Sequence, residues 1–292
     1  MAKFDLTGAT VVVTGGSRGI GPHIADALAG RGAKVALVAR SQPELDANAR
    51  RLAKSGADVL PVAADVTSAE QRRALVDVVE RRLGPIAVLV NNAGGDLQRE
   101  FHNLSEQELD GILALNLGSA VQLTRLVLPG MLERGRGHVV NVSSMAGRVS
   151  FPYTEAYAAA KDGLIAFTRV LRADYRGGGV SGSVLILGPV GEAGVGARTA
   201  EEVGIKLPTV GLVSPAKIGK LTVRAIEKDR AELAVLPGPG KLLRALMDRF
   251  PGLGPAMNRA TGTGRTMRTV ADHREREARV AAAQRGTPGR AR

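Results

Sequence analysis

Residues 9–21 read Ala-Thr-Val-Val-Val-Thr-Gly-Gly-Ser-Arg-Gly-Ile-Gly, a β-branched run that ends in a cluster of glycines. The run is typical of a strand buried on both faces, and residues 24–29 continue in a helical pattern. A glycine-rich turn in this position lets backbone amides approach a pyrophosphate at the positive end of the helix. The spacing Gly-x-x-x-Gly-x-Gly leaves an ordinary tight turn open, but the position favours a dinucleotide site.

The second predicted strand, residues 34–39, ends where a dinucleotide site for NAD would carry a carboxylate for the ribose 2′-hydroxyl. The chain has Arg40 and Ser41 there instead. An arginine attracts a 2′-phosphate and can grip it with two N–H groups, and Arg18 in the glycine turn adds a second cation. Both arginines could also be merely solvated, but the pattern favours NADP(H) as the cofactor.

Helical and strand patterns alternate along the rest of the chain. Further strands are predicted at 58–63, 86–90, 137–142, 180–187 and 231–236, with helices at 43–55, at 68–83, from 105 toward 128, and through 175. This alternation predicts an α/β fold of the Rossmann type, a doubly wound parallel sheet of about seven strands with helices on both faces. Ligands of such sheets bind at the carboxyl ends of the strands.

Polar and small residues follow several of these strands. Asp65 and Val66 come after the third strand, and residues 91–95 (Asn-Asn-Ala-Gly-Gly) come after the fourth. They can line an adenine or nicotinamide pocket, although a loop cap or turn explains each one equally well. Ser144, after the fifth strand, could polarise a substrate carbonyl or cap a helix. Asn116 lies among apolar residues of a helix, where a buried amide needs partners, so it is a structural contact or part of a site.

Tyr157 and Lys161 lie four residues apart, on one face of the helix that is predicted to end near residue 175. An ammonium group at this spacing can lower the pKa of the phenol and hold a proton-transfer group near neutral pH. The same spacing occurs by chance in amphipathic helices, so the pair indicates chemistry only if a cofactor binds beside it.

Composition excludes several classes of site. None of the 292 residues is a cysteine, which excludes disulfides, thiolate nucleophiles and cysteine metal sites. The four histidines, at positions 23, 102, 138 and 273, show no metal-ligand spacing, and we expect surface or capping roles for them and no metal site. The sequence shows no signal-peptide run and no stretch near the roughly 18 apolar residues of a membrane span, so we expect a cytoplasmic protein.

The net charge of +12 is concentrated at the C-terminal end, because residues 237–292 contain 12 Lys and Arg against 4 Asp and Glu. We therefore expect one Rossmann-type domain over residues 1–236 and a basic helical extension over 237–292. No familiar nucleic-acid-binding motif occurs in the extension, so a solvated basic face is expected and no nucleic-acid partner.

An apolar helical stripe with flanking cations occupies residues 241–250 of the extension. It could pack over the substrate pocket, join a partner subunit, or make peripheral contact with an anionic membrane, and we favour these uses in that order. Residues 265–292 have an Arg/Ala/Glu helical pattern, and we expect disorder after about residue 284.

Four features coincide in order and spacing: the Thr-Gly-x-x-x-Gly-Ile-Gly turn, Asn-Asn-Ala-Gly after the fourth strand, a strand-end serine, and Tyr-x-x-x-Lys thirteen residues later. Together they resemble the classical short-chain dehydrogenases/reductases over roughly residues 5–236. The resemblance implies an enzyme, an oxidoreductase that transfers a hydride between NADP(H) and a ketone, aldehyde, steroid or lipid-like substrate, and a homodimer or homotetramer. The alternative is a noncatalytic NADP-binding regulator that acts through its basic tail.

The resemblance also implies roles for individual residues. Tyr157 would be the general acid/base, Lys161 would lower its pKa and bind the nicotinamide ribose, Ser144 would bind the substrate oxygen, and Asn116 would hold a water in a proton relay. The expected cofactor-binding residues are Gly15, Ser17, Arg18, Gly19, Ile20, Gly21, Arg40, Ser41, Asp65, Val66, Asn92, Ala93, Gly94, Tyr157, Lys161, Pro189 and Val190.

The chain departs from the family after the sixth strand. The family usually has Pro-Gly followed by a threonine that binds the nicotinamide carboxamide, whereas residues 188–194 read Gly-Pro-Val-Gly-Glu-Ala-Gly. Gly194 stands at the threonine position, which puts the usual anchoring of the carboxamide in doubt. Residues 190–209 would form a mobile substrate loop, and nothing in their composition names a substrate.

Overall fold

Seven parallel strands form one sheet in the described part of the chain, in the order β3-β2-β1-β4-β5-β6-β7. The computed structural model describes residues 4–191, 193–204, 212–236, 245–246, 249–250, 252–260 and 262–285. The strands are β1 (Thr10–Thr14), β2 (Lys34–Ala39), β3 (Val59–Ala63), β4 (Ile86–Asn91), β5 (Gly137–Ser144), β6 (Val180–Leu187) and β7 (Glu232–Val235). The strand order reverses between β1 and β4, which opens a crevice at their carboxyl ends.

Helices cover both faces of the sheet, as predicted. They are α1 (Gly21–Ala29), α2 (Gln42–Ala53), α3 (Ala69–Leu83), α4 (Glu106–Leu113), α5 (Ser119–Glu133), α6 (Ala146–Val149), α7 (Glu155–Tyr175), α8 (Val195–Val203), α9 (Pro215–Glu227), α10 (Leu253–Ala260) and α11 (Thr263–Arg285). Within β1, Val11 and Val13 pack with α1, α2 and α9, whereas Val12 packs with α3 and α5. Burial of alternate side chains on opposite faces confirms the doubly wound sheet.

The long helix predicted from residue 105 is interrupted in the structure. Ser105 caps α4 in a capping box with Glu108, but residues 114–118 form a π-helical segment before α5 begins. By length and mean hydropathy (1.4), the stretch Glu106–Glu133 resembles a membrane span, which the sequence analysis did not anticipate. Leu123 and Met131 of α5 are buried against the sheet, so here the apolar residues build the core.

One expectation about the histidines is wrong. His138 lies within β5, is 1% exposed, and its Nε2 is 2.8 Å from the Ser183 hydroxyl of β6. Burial lowers the pKa of His138 to about 4. A strand interior, rather than a surface or a helix cap, therefore holds this side chain, because Ser183 supplies the polar partner that burial requires.

Candidate active site

One large cleft of about 720 Å³ lies at the carboxyl ends of the strands. It is lined by nearly all of the predicted cofactor-binding residues: Gly15, Ser17, Arg18, Gly19, Ile20, Arg40, Ser41, Asp65, Val66, Asn92, Ala93, Gly94, Tyr157, Lys161, Pro189 and Val190. Ser144 also lines it. Gly21 and Asn116 are the two predicted site residues that do not line the cleft.

The glycine turn after β1 has the shape of a phosphate cradle. Gly15 and Gly19 have φ values of 68° and 69°, in the left-handed region that favours glycine. A Cβ at Gly21 would lie 2.1 Å from the Gly15 carbonyl oxygen, so Gly21 is required for the tightness of the turn. The N-cap of α1, Ile20, has no side-chain acceptor for the first amides of the helix, which suits the binding of an anionic diphosphate.

The adenosine end of the cleft carries exposed cations. Arg18 and Arg40 both line it, and neither pairs with a carboxylate among the described residues. Asp65 accepts hydrogen bonds from the Thr67 backbone N–H (2.8 Å) and hydroxyl (2.7 Å). The Thr67 hydroxyl lowers the pKa of the Asp65 carboxyl, with a contribution from Arg40, while partial burial opposes the shift. Two free guanidinium groups are what a 2′-phosphate needs.

Asn92, a predicted cofactor contact, also has a structural role. Its Nδ2 donates to the Thr14 carbonyl oxygen (2.8 Å), and its backbone N–H donates to the Thr14 hydroxyl (2.9 Å). The loop after β4 is thereby tied to the end of β1. Sequence analysis overlooked Thr14, because a strand-end threonine is a common β residue.

The predicted catalytic residues Ser144, Tyr157 and Lys161 meet at the end of β5 and the start of α7. The hydroxyl of Ser144 lies close enough to the Tyr157 phenol to lower its pKa, and it accepts a hydrogen bond from the Ala146 backbone N–H (3.1 Å). Lys161 is 4% exposed, and its Nζ donates to the Val142 carbonyl oxygen (3.0 Å) and lies 5.6 Å from the centroid of the Tyr157 ring. The three side chains therefore converge on one point of the cleft.

Burial determines the protonation states of Tyr157 and Lys161. Burial raises the pKa of Tyr157 to about 12, with the Ser144 hydroxyl acting in the opposite direction, and it lowers the pKa of Lys161 to about 8. Lys161 was expected to lower the pKa of the Tyr157 phenol, but the pKa of the phenol is raised. The reason is that loss of water disfavours the charged form of both groups. Tyr157 consequently holds its proton and is suited to donate it.

Asn116 lies in the π-helical segment and is 1% exposed. Its Nδ2 donates to the carbonyl oxygens of Gly95 (2.7 Å) and Ile112 (2.9 Å), and its Oδ1 accepts from the Gly95 N–H (3.1 Å). A Cβ at Gly94 would lie 2.8 Å from Asn116 Oδ1 and 3.2 Å from Lys161 Nζ. Asn116 therefore fixes the position of the Gly94–Gly95 loop, which lies between Asn116 and Lys161.

The comparisons with known proteins agree with this geometry. A family model described as short chain dehydrogenase matches residues 9–203. The chain belongs to the short-chain dehydrogenase family. Ketoacyl reductase HetN of Nostoc sp. is 38% identical over 235 residues, which are 80% of this chain and 80% of that protein. The predicted family and the predicted oxidoreductase class are thus confirmed.

Three further relatives of this short-chain dehydrogenase are a reductase and two enzymes solved with a cofactor. The 3-oxoacyl-acyl-carrier-protein reductase FabG of Vibrio cholerae is 35% identical over 178 residues, 61% of this chain and 72% of that protein. A metagenomic short-chain oxidoreductase in complex with NADP is 30% identical, with a TM-score of 0.67 over 80% of this chain and 99% of that one. An actinorhodin polyketide ketoreductase variant with NADPH is 27% identical, with a TM-score of 0.71 over 82% and 99% of the two chains.

The structure gives a physical reason for the missing threonine of this dehydrogenase. Gly194 is the N-cap of α8, and a Cβ there would lie 2.9 Å from both the Cβ and the carbonyl oxygen of Val190. The Val190 backbone is fixed by a bridge to Val213. A threonine therefore does not fit without a shift of the chain. Part of the expected mobile loop is the helix α8, while residues 205–211 lie outside the described part of the chain.

The substrate end of the cleft includes residues that the sequence analysis did not single out. Its apolar wall includes Met145, Phe151 and Met267, the last of which belongs to α11 of the C-terminal extension. Asp96 and Gln98, on the loop after β4, are polar members of the same cavity. No local motif marks them, since the loop meets the cleft only through the tertiary fold.

The C-terminal extension of the dehydrogenase packs beside this end of the cleft. Arg99 is 9% exposed and is hydrogen-bonded to Glu108 (2.6 Å) and to Glu275 of α11 (3.2 Å). Arg274, also of α11, pairs with Glu202 of α8. These contacts attach α11 beside the pocket, and the three uses predicted for the 241–250 stripe stay predictions. Most of the 241–250 stripe lies outside the described residues, as do residues 286–292 of the segment expected to be disordered after about residue 284.

Proposed function

We propose that this short-chain dehydrogenase is an NADPH-dependent reductase of 3-oxoacyl-type carbonyls. The observation that carries the proposal is the convergence of Ser144, Tyr157 and buried Lys161 on one cleft that has an apolar wall. The names of the relatives supply the substrate class: Ketoacyl reductase HetN and 3-oxoacyl-acyl-carrier-protein reductase FabG. The proposed direction is reduction, because these two relatives are named reductases.

The cofactor site fits NADP(H) by its own chemistry. The glycine cradle and the uncapped start of α1 suit a diphosphate, and the exposed guanidinium groups of Arg18 and Arg40 suit a 2′-phosphate. The structural relatives that were solved with NADP or NADPH support the same choice. When bound, the nicotinamide supplies a hydride to the carbonyl carbon of the substrate.

The residues of the chain supply orientation and the proton. The Ser144 hydroxyl and the Tyr157 phenol would both hydrogen-bond the carbonyl oxygen, which fixes the face of the carbonyl that is reduced. As the carbon gains its hydride, Tyr157 would give its proton to the oxygen, so that C=O becomes CH–OH. Lys161, whose pKa is about 8, can restore that proton near neutral pH. We propose that Asn116 helps to hold a water on the path from Lys161 to solvent.

The test is reduction of 3-oxoacyl thioesters of coenzyme A with acyl chains of about 4 to 12 carbons, with NADPH and with NADH. The proposal predicts formation of the 3-hydroxy product, seen by mass spectrometry, with NADPH strongly preferred. Measurable NADPH binding without product from any chain length would contradict it and would favour the regulator that acts through its basic tail. On the strength of family membership, we also propose a cytoplasmic homodimer or homotetramer.

A further inference from the structure

The apolar wall of the cleft has two sources in the chain. Met145 and Phe151 lie on either side of α6, in the segment that leads from Ser144 to Tyr157. Met267 belongs to α11 of the C-terminal extension. The match to the short chain dehydrogenase model ends at residue 203, so this part of the wall comes from residues that the match does not cover.

One face of α11 is turned toward the body of the domain. Val270 and Ala271 are each 1% exposed, whereas Arg268, on another side of the helix, is exposed. Met267 lies three and four residues before this buried pair, which places it on the same face. Its side chain is half-buried and lines the cleft, so the surface that it keeps is available to a ligand there.

Two contacts of α11 fix the position of Met267. The guanidinium group of Arg268, the next residue, lies 5.6 Å from the centroid of the Tyr153 ring, just before α7 begins. Further along the helix, Glu275 binds Arg99 on the loop after β4 (3.2 Å). Met267 is thereby held between the start of α7 and the loop after β4.

The shorter helix α10 fixes the other part of the wall. Leu253 packs in one apolar cluster with Met145 and Phe151. The Nδ2 atom of Asn258 donates to the Ser150 carbonyl oxygen (2.9 Å), beside Phe151. Ser150 has a left-handed φ of 50°, which a residue other than glycine keeps only where its surroundings hold it. The extension therefore supports both sources of the wall.

The chemistry of the wall suits an unbranched apolar chain. Thioether and phenyl groups bring no charge and no strong hydrogen-bond donor, and methionine side chains adapt to flexible ligands. The nearby cations Arg99 and Arg274 are paired with Glu275 and Glu202. Each methylene group that leaves water for such a surface gains free energy, so binding should grow with chain length until the wall is filled.

The order of the wall residues along a bound substrate follows from the reacting carbonyl. Its oxygen would lie at Ser144 and Tyr157, and Met145 directly follows Ser144 in the chain. The first carbons of the acyl chain would therefore meet Met145 and Phe151. Met267 comes from a separate helix outside this segment, so a longer chain is needed to reach it.

We propose that Met267 is a specificity-determining residue that limits the length of the acyl chain. In this arrangement the C-terminal extension supplies the far end of the apolar wall, where the Met267 side chain contacts chains of intermediate length and obstructs longer ones. The inference rests on the proposed 3-oxoacyl reductase function and deepens it. One methylene group more or less in an apolar pocket changes specificity by about tenfold or more, so one side chain at this position is sufficient.

The test is the ratio of kcat/KM for 3-oxododecanoyl-coenzyme A to that for 3-oxohexanoyl-coenzyme A, with NADPH. Met267→Ala opens the end of the wall and should raise this ratio about tenfold. Met267→Phe fills the end of the wall and should lower the ratio about tenfold. The opposite directions are decisive, because a general loosening of α11 would change the ratio in the same direction in both variants.

Val280, on the same helix and 57% exposed, provides the matched controls. Val280→Ala and Val280→Phe should leave the ratio at its wild-type value, and a Tm measured for every variant shows whether it is folded. A ratio that stays the same in both Met267 variants, or that moves in one direction in both, would overturn the proposal.

Dissociation constants of 2-pentanone and 2-undecanone from the enzyme–NADPH complex separate the two proposals. Neither ketone is a thioester, so their binding measures the wall without the 3-oxoacyl reaction. If no thioester is reduced but the ratio of the two constants shifts in opposite directions in Met267→Ala and Met267→Phe, the 3-oxoacyl substrate is refuted and the role of Met267 stands. If thioesters are reduced with one length profile in the wild type and both variants, Met267 has no such role and the reductase function stands.

Discussion

The two ends of the cleft are built in different ways. At the cofactor end, the site is formed mainly by backbone and glycines. Gly15 and Gly19 shape a turn between β1 and α1, and each strand end adds a residue from a short motif. At the substrate end, side chains from distant segments meet, with Asp96 from one loop and Met267 from the C-terminal extension. The comparison suggests that cofactor binding is set by local sequence and substrate choice by long-range packing.

Apart from removal of the Tyr157 hydroxyl, the largest effect is expected from a methyl group at the junction of the two ends. In Gly94→Ala, the new Cβ would lie 2.8 Å from Asn116 Oδ1 and 3.2 Å from Lys161 Nζ, so the lysine or the loop must move. We expect kcat to fall on the order of 100-fold, since small displacements in an active site have effects of this size. Gly177→Ala, where nothing lies within 4 Å, should leave kcat unchanged.

The charge at the cofactor end is tested by Arg40→Ala. Loss of a charge-assisted contact should raise the Kd for NADPH by about 10- to 100-fold and leave the Kd for NADH nearly constant. Fluorescence titration of both cofactors measures this, with the exposed Arg50→Ala of α2 as the control. Equal losses for NADPH and NADH would show that Arg40 does not contact a 2′-phosphate.

The substrate end depends on the attachment of the extension through Arg99. Arg99→Met removes its bonds to Glu108, Glu275 and the Asn103 carbonyl oxygen (3.0 Å) and leaves Glu275 without its cation. We expect a lower Tm and a KM for the substrate that rises about threefold to tenfold, with the Kd for NADPH unchanged. The exposed Arg125→Met of α5 is the matched control. An unchanged KM would mean that α11 does not shape the substrate wall.

The smallest expected effect concerns pH and stability. The folded pKa of Asp96, about 7, exceeds its ordinary value of 3.8, so this residue contributes stability at acid pH that is lost as the pH rises from about 4 to 7. Arg274, Glu155 and Tyr157 are the charged or titratable groups that act on it. Asp96→Asn should therefore have a higher Tm than the wild-type chain at pH 8, with little difference at pH 4.

Buried His138 makes the opposite contribution in the same range. Its folded pKa is about 4, so stability is lost as the pH falls from 6.5 toward 4. This contribution does not affect the difference in Tm between Asp96→Asn and the wild type, because His138 is present in both proteins. A difference that does not change between pH 4 and pH 8 would show that Asp96 is not destabilised by burial.

These comparisons also explain what could be predicted from sequence. The strands, the glycine turn and the pair Tyr157 and Lys161 depend on residues close together in the chain, so local patterns were sufficient. Asp96, the bonds of Arg99 and the wall residue Met267 depend on contacts between segments far apart in sequence. Burial likewise could not be judged locally, which is why the direction of the Tyr157 pKa shift and the place of His138 differ from expectation.

The most direct test of the account is the rate of NADPH oxidation with a 3-oxoacyl thioester in Tyr157→Phe. If Tyr157 donates the proton, kcat should fall roughly 10²- to 10⁴-fold while the Kd for NADPH stays within about twofold. Tyr175→Phe, at the other end of the same helix, should retain the wild-type rate. A Tyr157→Phe protein that reduces the thioester at the wild-type rate would contradict the central claim that this phenol is the acid of the reaction.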